Sequence, residues 1–322
     1  MILLTGASGF VGTAIFKKIV QQSNLTVRTY GRRMPAGLVN YNEGNFEHLL
    51  GGFSCETNYA SALEGVKIVI HCAAQAHVMN NSKRNEVALY KDVNVDSTIN
   101  LASQAIAAGV KKFIFISTLK VNGENTNNRP PFNNESSPSP SDAYSRSKHE
   151  AEEKLRQLVF NTNMELVVIR PPLVYGPGVK GNFSVLLSIV RKNLLLPFGA
   201  IHNKRSMVSI DNLVDLVFTC IEHKNAGNKT FLVSDDQDVS TTELLRMMAH
   251  AFGKKTRLIP IPMSWILGVA SLLGKKAVAD RLCGSLQVDI THTKETLGWK
   301  PPVTMEQQLA KIAASMSSPR DA

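Results

Sequence analysis

The chain has 322 residues, 43% of them hydrophobic, with a formal net charge of +10 at pH 7. That length suits one large or two closely joined globular domains with a sizeable core. The basic residues stand in ones and twos (Lys17-Lys18, Arg32-Arg33, Lys111-Lys112, Lys254-Lys255, Lys275-Lys276), never in a run interleaved with aromatics. This argues against specific nucleic-acid recognition and leaves solvated faces and attraction for an anionic substrate. Cys55, Cys72, Cys220 and Cys283 are scattered, with no C-x-x-C pair, which points to reduced thiols in a cytoplasm and argues against structural zinc; no metal site is expected.

In chain order, Met1 to Thr5 is a short apolar run, the pattern of a strand buried on both faces, and its position leaves no room for a signal peptide ahead of it. Gly6, Gly9 and Gly12 follow at spacings of three, and TAIFKKIVQQ then carries Ile15, Ile19 and Val20 at helical intervals. Strand, glycine turn and helix offer a phosphate the bare N–H groups and dipole of a helix N-terminus. The segment Gly6, Ser8, Gly9, Phe10, Val11 and Gly12 is therefore a candidate dinucleotide loop, although its spacing is G-x-x-G-x-x-G rather than G-x-G-x-x-G. Leu25 to Tyr30 reads as the second strand, ending at Gly31, Arg32 and Arg33 where a carboxylate often binds the adenosine ribose. Two guanidinium groups there, and no acid, favour NADP(H) over NAD(H), with two solvated arginines as the plain alternative.

Residues 35–58 are polar and glycine-rich and carry no clear element. Ala60 to Glu64 reads as a short helix and Val66 to His71 as a buried strand. Ala73 and Ala74 after it would let a cofactor lie close to the backbone, and His77 follows on the same loop, where a substrate could sit. Lys91 to Ala108 reads as one long helix bearing Asn94, an unfavoured helix-interior residue and so a candidate for a hydrogen-bonding task. Val110 to Ile116 is the next strand and ends in Ser117 and Thr118, two hydroxyls at the edge where open α/β sheets bind ligands.

Gly123 to Ser141 is a loop; Ser141 or Asp142 then caps a helix with Tyr144 and Lys148 four apart on one face. An ammonium beside a phenol stabilises the phenolate and would lower its pKa from about 10, making a proton-transfer device. Leu166 to Arg170 is a further strand, and the text changes character at Pro171-Pro172. Asn182 opens a helix, Arg205 precedes a strand, Asp211 caps a helix from Asn212 to Glu222, Thr230 to Val233 is the last sheet strand, and Ser240 and Thr241 cap a helix to Phe252 with Glu243 near its first turn. Leu258 to Gly274 is apolar, too short to span a membrane comfortably and interrupted by Pro260 and Pro262; it reads as a packed helix over 264–273, with peripheral membrane contact as the alternative. Leu286 to Ile290 and a final helix from Met305 complete the chain.

TGASGFVG, HCAA, Asn94, ISTLKVNG and Tyr144-x-x-x-Lys148 in this order, with RPPLVYGPG, GNF, SIDNLVD and VDITHTKETLGWKPP behind them, resemble an extended short-chain dehydrogenase/reductase of the nucleotide-sugar epimerase, dehydratase and reductase group. The resemblance implies an α/β chain: a Rossmann doubly wound parallel sheet over 1–172 and 207–233, and a smaller C-terminal α/β substrate-binding domain over 173–206 and 234–322. It implies Tyr144 as acid/base, Lys148 on the nicotinamide ribose, Thr118 orienting the reacting oxygen, and Asn94 supporting the cofactor or a proton path. Ser117 and Pro171 would border the cofactor; His77, Lys120, Asn182, Arg205 and Arg281 would meet a UDP-sugar. An Asp that the family often places near the adenine, around Gly52, is missing from GGFS.

Two reactions share this apparatus: a 4-epimerase that keeps its NAD, and a reductase of a UDP-4-keto-6-deoxy-N-acetylhexosamine that spends NAD(P)H. A 4,6-dehydratase would need carboxylic acids beside Thr118, where Leu119 and Lys120 stand. Arg32, Arg33 and the ISTLKVNGE and GPGVKGNF phrases favour the reductase, in surface-polysaccharide (O-antigen) synthesis; a silent NADP-binding sensor is a remote third reading. Relatives suggest a cytoplasmic homodimer through a four-helix interface of 91–108 and the Tyr144 helix.

Overall fold

The computed structural model describes residues 1–22, 25–35, 45–76 and 83–317. Its elements in order are β1 (Ile2–Thr5), α1 (Phe10–Gln21), β2 (Val27–Gly31), β3 (Phe46–Leu50), α2 (Ala60–Leu63), β4 (Ile68–His71), α3 (Lys83–Tyr90), α4 (Ser97–Ala107), β5 (Lys112–Ile116), α5 (Ala143–Val159), β6 (Glu165–Arg170), β7 (Leu173–Tyr175), α6 (Asn182–Arg191), β8 (Arg205–Ser209), α7 (Ile210–Glu222), β9 (Lys229–Leu232), β10 (Asp238–Val239), α8 (Thr241–Ala251), α9 (Met263–Leu272), α10 (Lys276–Cys283), α11 (Thr291–Leu297) and α12 (Met305–Ser317).

Seven strands form one sheet in the order β3-β2-β1-β4-β5-β6-β9, and every pairing in it is parallel. The apolar runs of β1 and β5 are buried at every residue, as a sheet covered on both faces requires. One face packs on Ile15, Phe16 and Ile19 of α1 and Leu213, Leu216 and Val217 of α7. The other packs on Ala62, Leu101, Ala105, Ala151 and Leu155 of α2, α4 and α5. The chain leaves β1 toward β2 on one side and reaches β4 on the other, so the crevice for a ligand opens at the carboxyl ends of β1 and β4.

A second, three-stranded sheet runs β10-β8-β7, and a separate core joins Tyr175, Phe183, Leu187, Met207, Leu245, Met248, Leu309 and Ile312 beneath it. Because β8 spans Arg205–Ser209 and pairs with β7 and β10, a boundary between 206 and 207 would cut a strand.

Four local expectations change. The stretch 35–58, expected to carry no clear element, holds β3, an edge strand whose apolar residues Phe46, Leu49 and Leu50 do not alternate and are at most part-buried. The helix expected over 91–108 is α4 extended backward: a π-helical turn, Lys91–Asp96, joins α3 to α4. Ser209, not Asp211, caps α7; its hydroxyl accepts from Asn212 N at 3.1 Å, while Asp211 pairs with Lys311 at the surface. The helix expected to be packed at 264–273 is α9, and none of its residues is buried.

Candidate active site

The glycine turn is shaped by contact. Gly6 takes φ +71°, and a Cβ there would sit 2.5 Å from Ala73 N; a Cβ on Gly12 would sit 2.1 Å from Gly6 O. Only glycine lets the loop lie this close to the Cys72–Ala73 backbone and lets α1 start directly beneath it. No side chain caps α1, and among the described residues the Phe10, Val11 and Gly12 N–H groups make no hydrogen bond to a loop or strand. Ser8 and Gly9 are exposed at this mouth. The turn is bolted from below: Thr5 Oγ1 lies 2.7 Å from His71 Nδ1, and His71 Nε2 lies 3.0 Å from Thr98 Oγ1. Ala73 N donates weakly to Thr5 Oγ1 at 3.4 Å, and Ala74 is exposed beyond it. Burial, then the charge of Lys148, pushes His71 down to about 3, so it stands here as a neutral bridge.

Tyr144 and Lys148 occupy consecutive turns of α5, which Asp142 caps: its carboxylate accepts from Ser145 N at 2.6 Å, and the Ser145 hydroxyl oxygen accepts from Asp142 N at 3.2 Å. Lys148 is 1% exposed, and its ammonium lies 3.8 Å from the centroid of the Phe115 ring, with no hydrogen-bonding partner among the described residues. Burial pushes it from the ordinary 10.5 down to about 7, against the pull of Glu152 and Cys72. Tyr144 does not follow the expectation of a lowered phenol. Desolvation, then Asp142 and the neighbouring Tyr90, push it up to about 12. The Lys148 charge does not enter this shift, so desolvation prevails.

Thr118 is half-buried at the end of β5, and its Oγ1 accepts from Lys120 N at 3.3 Å, leaving its own proton to donate. The Ser117 hydroxyl donates to Glu152, so only its backbone faces other tasks. Asn94, on the π turn, is 1% exposed: Oδ1 accepts from Gln75 N at 2.8 Å, and Nδ2 donates to Gln75 O and to Ser147 Oγ, both at 3.0 Å. It thus stitches the segment after β4 to the helix of Tyr144. Pro171 is buried, and its carbonyl accepts from Leu119 N at 2.8 Å, tying the ends of β5 and β6 together.

Two buried networks link residues that lie far apart in the chain. Besides the Thr5–His71–Thr98 bridge, Glu152 sits fully buried and receives Arg170 Nε at 3.0 Å, with Ser117 and Arg156 Nη2 (3.2 Å) as further donors. Arg170 Nη1 donates onward to Asn122 Oδ1 at 3.0 Å. These bonds hold Glu152 below the usual carboxylate range despite burial. The periodic spacing of Tyr144, Lys148 and Glu152 at every fourth residue was the available signal.

Farther out, Lys120 Nζ is already paired with Asp142 (2.6 Å) and Glu124 (3.3 Å). Asn182 is exposed as the first residue of α6, after Gly181. Arg205 donates Nη1 to Arg281 O at 2.7 Å and to Gly284 O at 3.0 Å. Burial, then the Arg281 charge beside it, holds Arg205 below its ordinary value, and neither guanidinium pairs with a carboxylate among the described residues. Two unneutralised cations side by side suit an anion. Arg32 and Arg33 are exposed past β2, and His77 lies outside the described residues. A cavity of about 340 Å³ lined by Arg156, Phe160 and Lys229 lies at the opposite end of α5 and holds none of the predicted site residues.

The glycine cradle, the bare helix terminus and the unpartnered Lys148 ammonium fit a nicotinamide dinucleotide: N–H groups of 10–12 for its pyrophosphate, Lys148 for hydroxyls. Among known proteins, the chain is 48% identical over 97% of its length and 94% of the other's to a UDP-glucose 4-epimerase of Vibrio cholerae. It is 27% identical, over 96% and 92%, to an N-acetyl-alpha-D-glucosaminyl-diphospho-ditrans,octacis-undecaprenol 4-epimerase of Escherichia coli O157:H7. The crystal structure of a UDP-glucuronic acid 4-epimerase from Bacillus cereus in complex with NAD shares the fold, with a TM-score of 0.76 at 20% identity over 98% of both chains. Residues 2–234 match the NAD dependent epimerase/dehydratase family; the chain belongs to that family.

Proposed function

We propose that this chain is a 4-epimerase of a UDP-hexose, working with a retained NAD. What carries the reading is the 48% identity, over nearly the whole of both chains, to a protein named as a UDP-glucose 4-epimerase. This moves the balance away from the 4-keto reductase that Arg32, Arg33 and the loop phrases suggested. A bound nicotinamide dinucleotide supplies the hydride chemistry at the sugar carbon. Tyr144 moves the proton on the attached oxygen, as a base in one direction and an acid in the other. Its phenol begins near 12 in the ligand-free chain; the task of Lys148, recharged when hydroxyl oxygens reach its Nζ, is to bring that value toward neutrality. Thr118 keeps a hydroxyl proton free to fix the reacting oxygen. Asn94, Glu152 and Arg170 position these groups without touching the sugar. Arg205 and Arg281, with Asn182 at the start of α6, receive the diphosphate and its nucleoside, in a substrate lobe formed mainly by 173–206 and 234–322.

The second reading, a reductase spending NADPH, rests on one feature: two exposed guanidinium groups past β2, where they could bind a 2′-phosphate. The test is to denature the purified protein, identify any released dinucleotide by mass spectrometry, and assay exchange of UDP-glucose with UDP-galactose, and of UDP-N-acetylglucosamine with its C4 epimer, without added cofactor. Release of NAD with exchange is expected, and Tyr144→Phe should stop exchange while the dinucleotide stays bound. An empty or NADP-loaded protein that oxidises NADPH with a 4-keto UDP-sugar and exchanges nothing would replace this reading with the reductase.

A further inference from the structure

Helix α9 is apolar on every side, reading MSWILGVASL, yet none of its residues is buried. A helix of that composition normally lies inside a protein or against lipid. Here Trp265 is 71% exposed, Leu272 89% and Leu273 68%, with Met263 and Val269 beside them. Exposed Leu194 and Leu195 precede Leu196, which pairs with the segment leading into α9: Leu196 N bonds to Arg257 O at 3.0 Å and Ile259 N to Leu196 O at 2.8 Å. A cluster of this kind on a folded chain marks an interaction surface.

The charge around it selects the partner. From Lys254 to Lys276 the sequence holds Lys254, Lys255, Arg257, Lys275 and Lys276 and no carboxylate, and all five cations are exposed at the two ends of the apolar stretch. An apolar centre between two basic ends matches the acyl boundary and anionic headgroups of a lipid bilayer. A second copy of this surface would set cation against cation. At ten residues the helix is about 15 Å long, half of a hydrocarbon core of roughly 30 Å, so it lies in the surface and does not cross. Among the described residues no helix is long and apolar enough to cross a membrane.

We propose that α9, with its flanking lysines and Arg257, docks this protein on an anionic lipid bilayer surface. The proposal does not depend on which sugar is turned over.

The test uses the full chain, vesicles of phosphatidylcholine with and without phosphatidylglycerol, and Trp265 as reporter. The other tryptophan, Trp299, is 4% exposed and bonded to Asp215 at 2.9 Å, so a blue shift on adding vesicles reads Trp265. Expected are a blue shift and co-sedimentation with the anionic vesicles, weakening about tenfold or more as salt rises past the screening range. Leu272→Ser with Leu273→Ser, and separately Lys275→Glu with Lys276→Glu, should each abolish sedimentation and leave turnover of soluble substrate unchanged. No binding to anionic vesicles, or binding that both variants keep, overturns the proposal. A fall in oligomer mass in the leucine variant without vesicle binding by the parent protein overturns it in favour of a second copy.

Discussion

Replacing Lys148 by Met should make the cofactor-free protein more stable while destroying its activity. Lys148 is 1% exposed, and among the described residues its ammonium has the Phe115 ring at 3.8 Å and no hydrogen-bonding partner, with Glu152 and Cys72 acting on it only through charge. Its pKa falls from 10.5 to about 7, three and a half decades in proton affinity, or on the order of 5 kcal/mol at about 1.4 kcal/mol per decade. The folded chain binds this proton more weakly than the unfolded chain. The penalty is therefore in full force below about pH 7, fades as the pH climbs toward 10.5, and is gone above it. Met nearly matches the volume and carries no charge, so Lys148→Met should gain roughly 3–5 kcal/mol at pH 6, a rise of roughly 5–10 °C in Tm, and almost nothing at pH 10. The assay is thermal and urea unfolding of both proteins, stripped of dinucleotide, across that range. A Met variant that is no more stable at pH 6, or equally favoured at both ends, would refute the account of Lys148 as a charge that is unpartnered until a ligand arrives.

Two further outcomes follow from the scaffold. Gly12→Ala puts a Cβ 2.1 Å from Gly6 O; overpacking of about 1–3 kcal/mol should open the turn and weaken dinucleotide binding about tenfold or more by calorimetry, with the circular dichroism of the fold kept. Arg170→Met strips Glu152 of its main partner inside the protein and should cost about 3–5 kcal/mol in urea unfolding at pH 7. Glu152 is held below the ordinary 4.5, so its stabilisation is fully present above that value and is lost as the pH falls from there through the lowered folded value. The penalty of Arg170→Met should therefore shrink in acid.

The glycine turn, β1, the Tyr144 helix with its Asp142 cap, and the capping box of α8 were legible in the sequence because each is a local matter. Apolar runs, glycine spacing and capping side chains act within a few residues of one another. Strand β3 was hidden because an edge strand needs no full burial, and the apolar residues of FEHLL show neither alternation nor a continuous run. Only the tertiary structure decided what the charges do. Arg170 and Glu152 are 18 residues apart, Arg205 and Arg281 are 76 apart, and Thr5 and His71 are 66 apart, and no local pattern says which distant group will face another. The same holds for pKa values: the spacing of Tyr144 and Lys148 suggested a lowered phenol, and burial reversed the sign. It holds again for α9, whose apolar sequence implied a packed helix until its exposure was known. Desolvation depends on everything that surrounds a group, so it is fixed by the assembled fold, whereas backbone preference and periodicity are fixed by the neighbours in the chain.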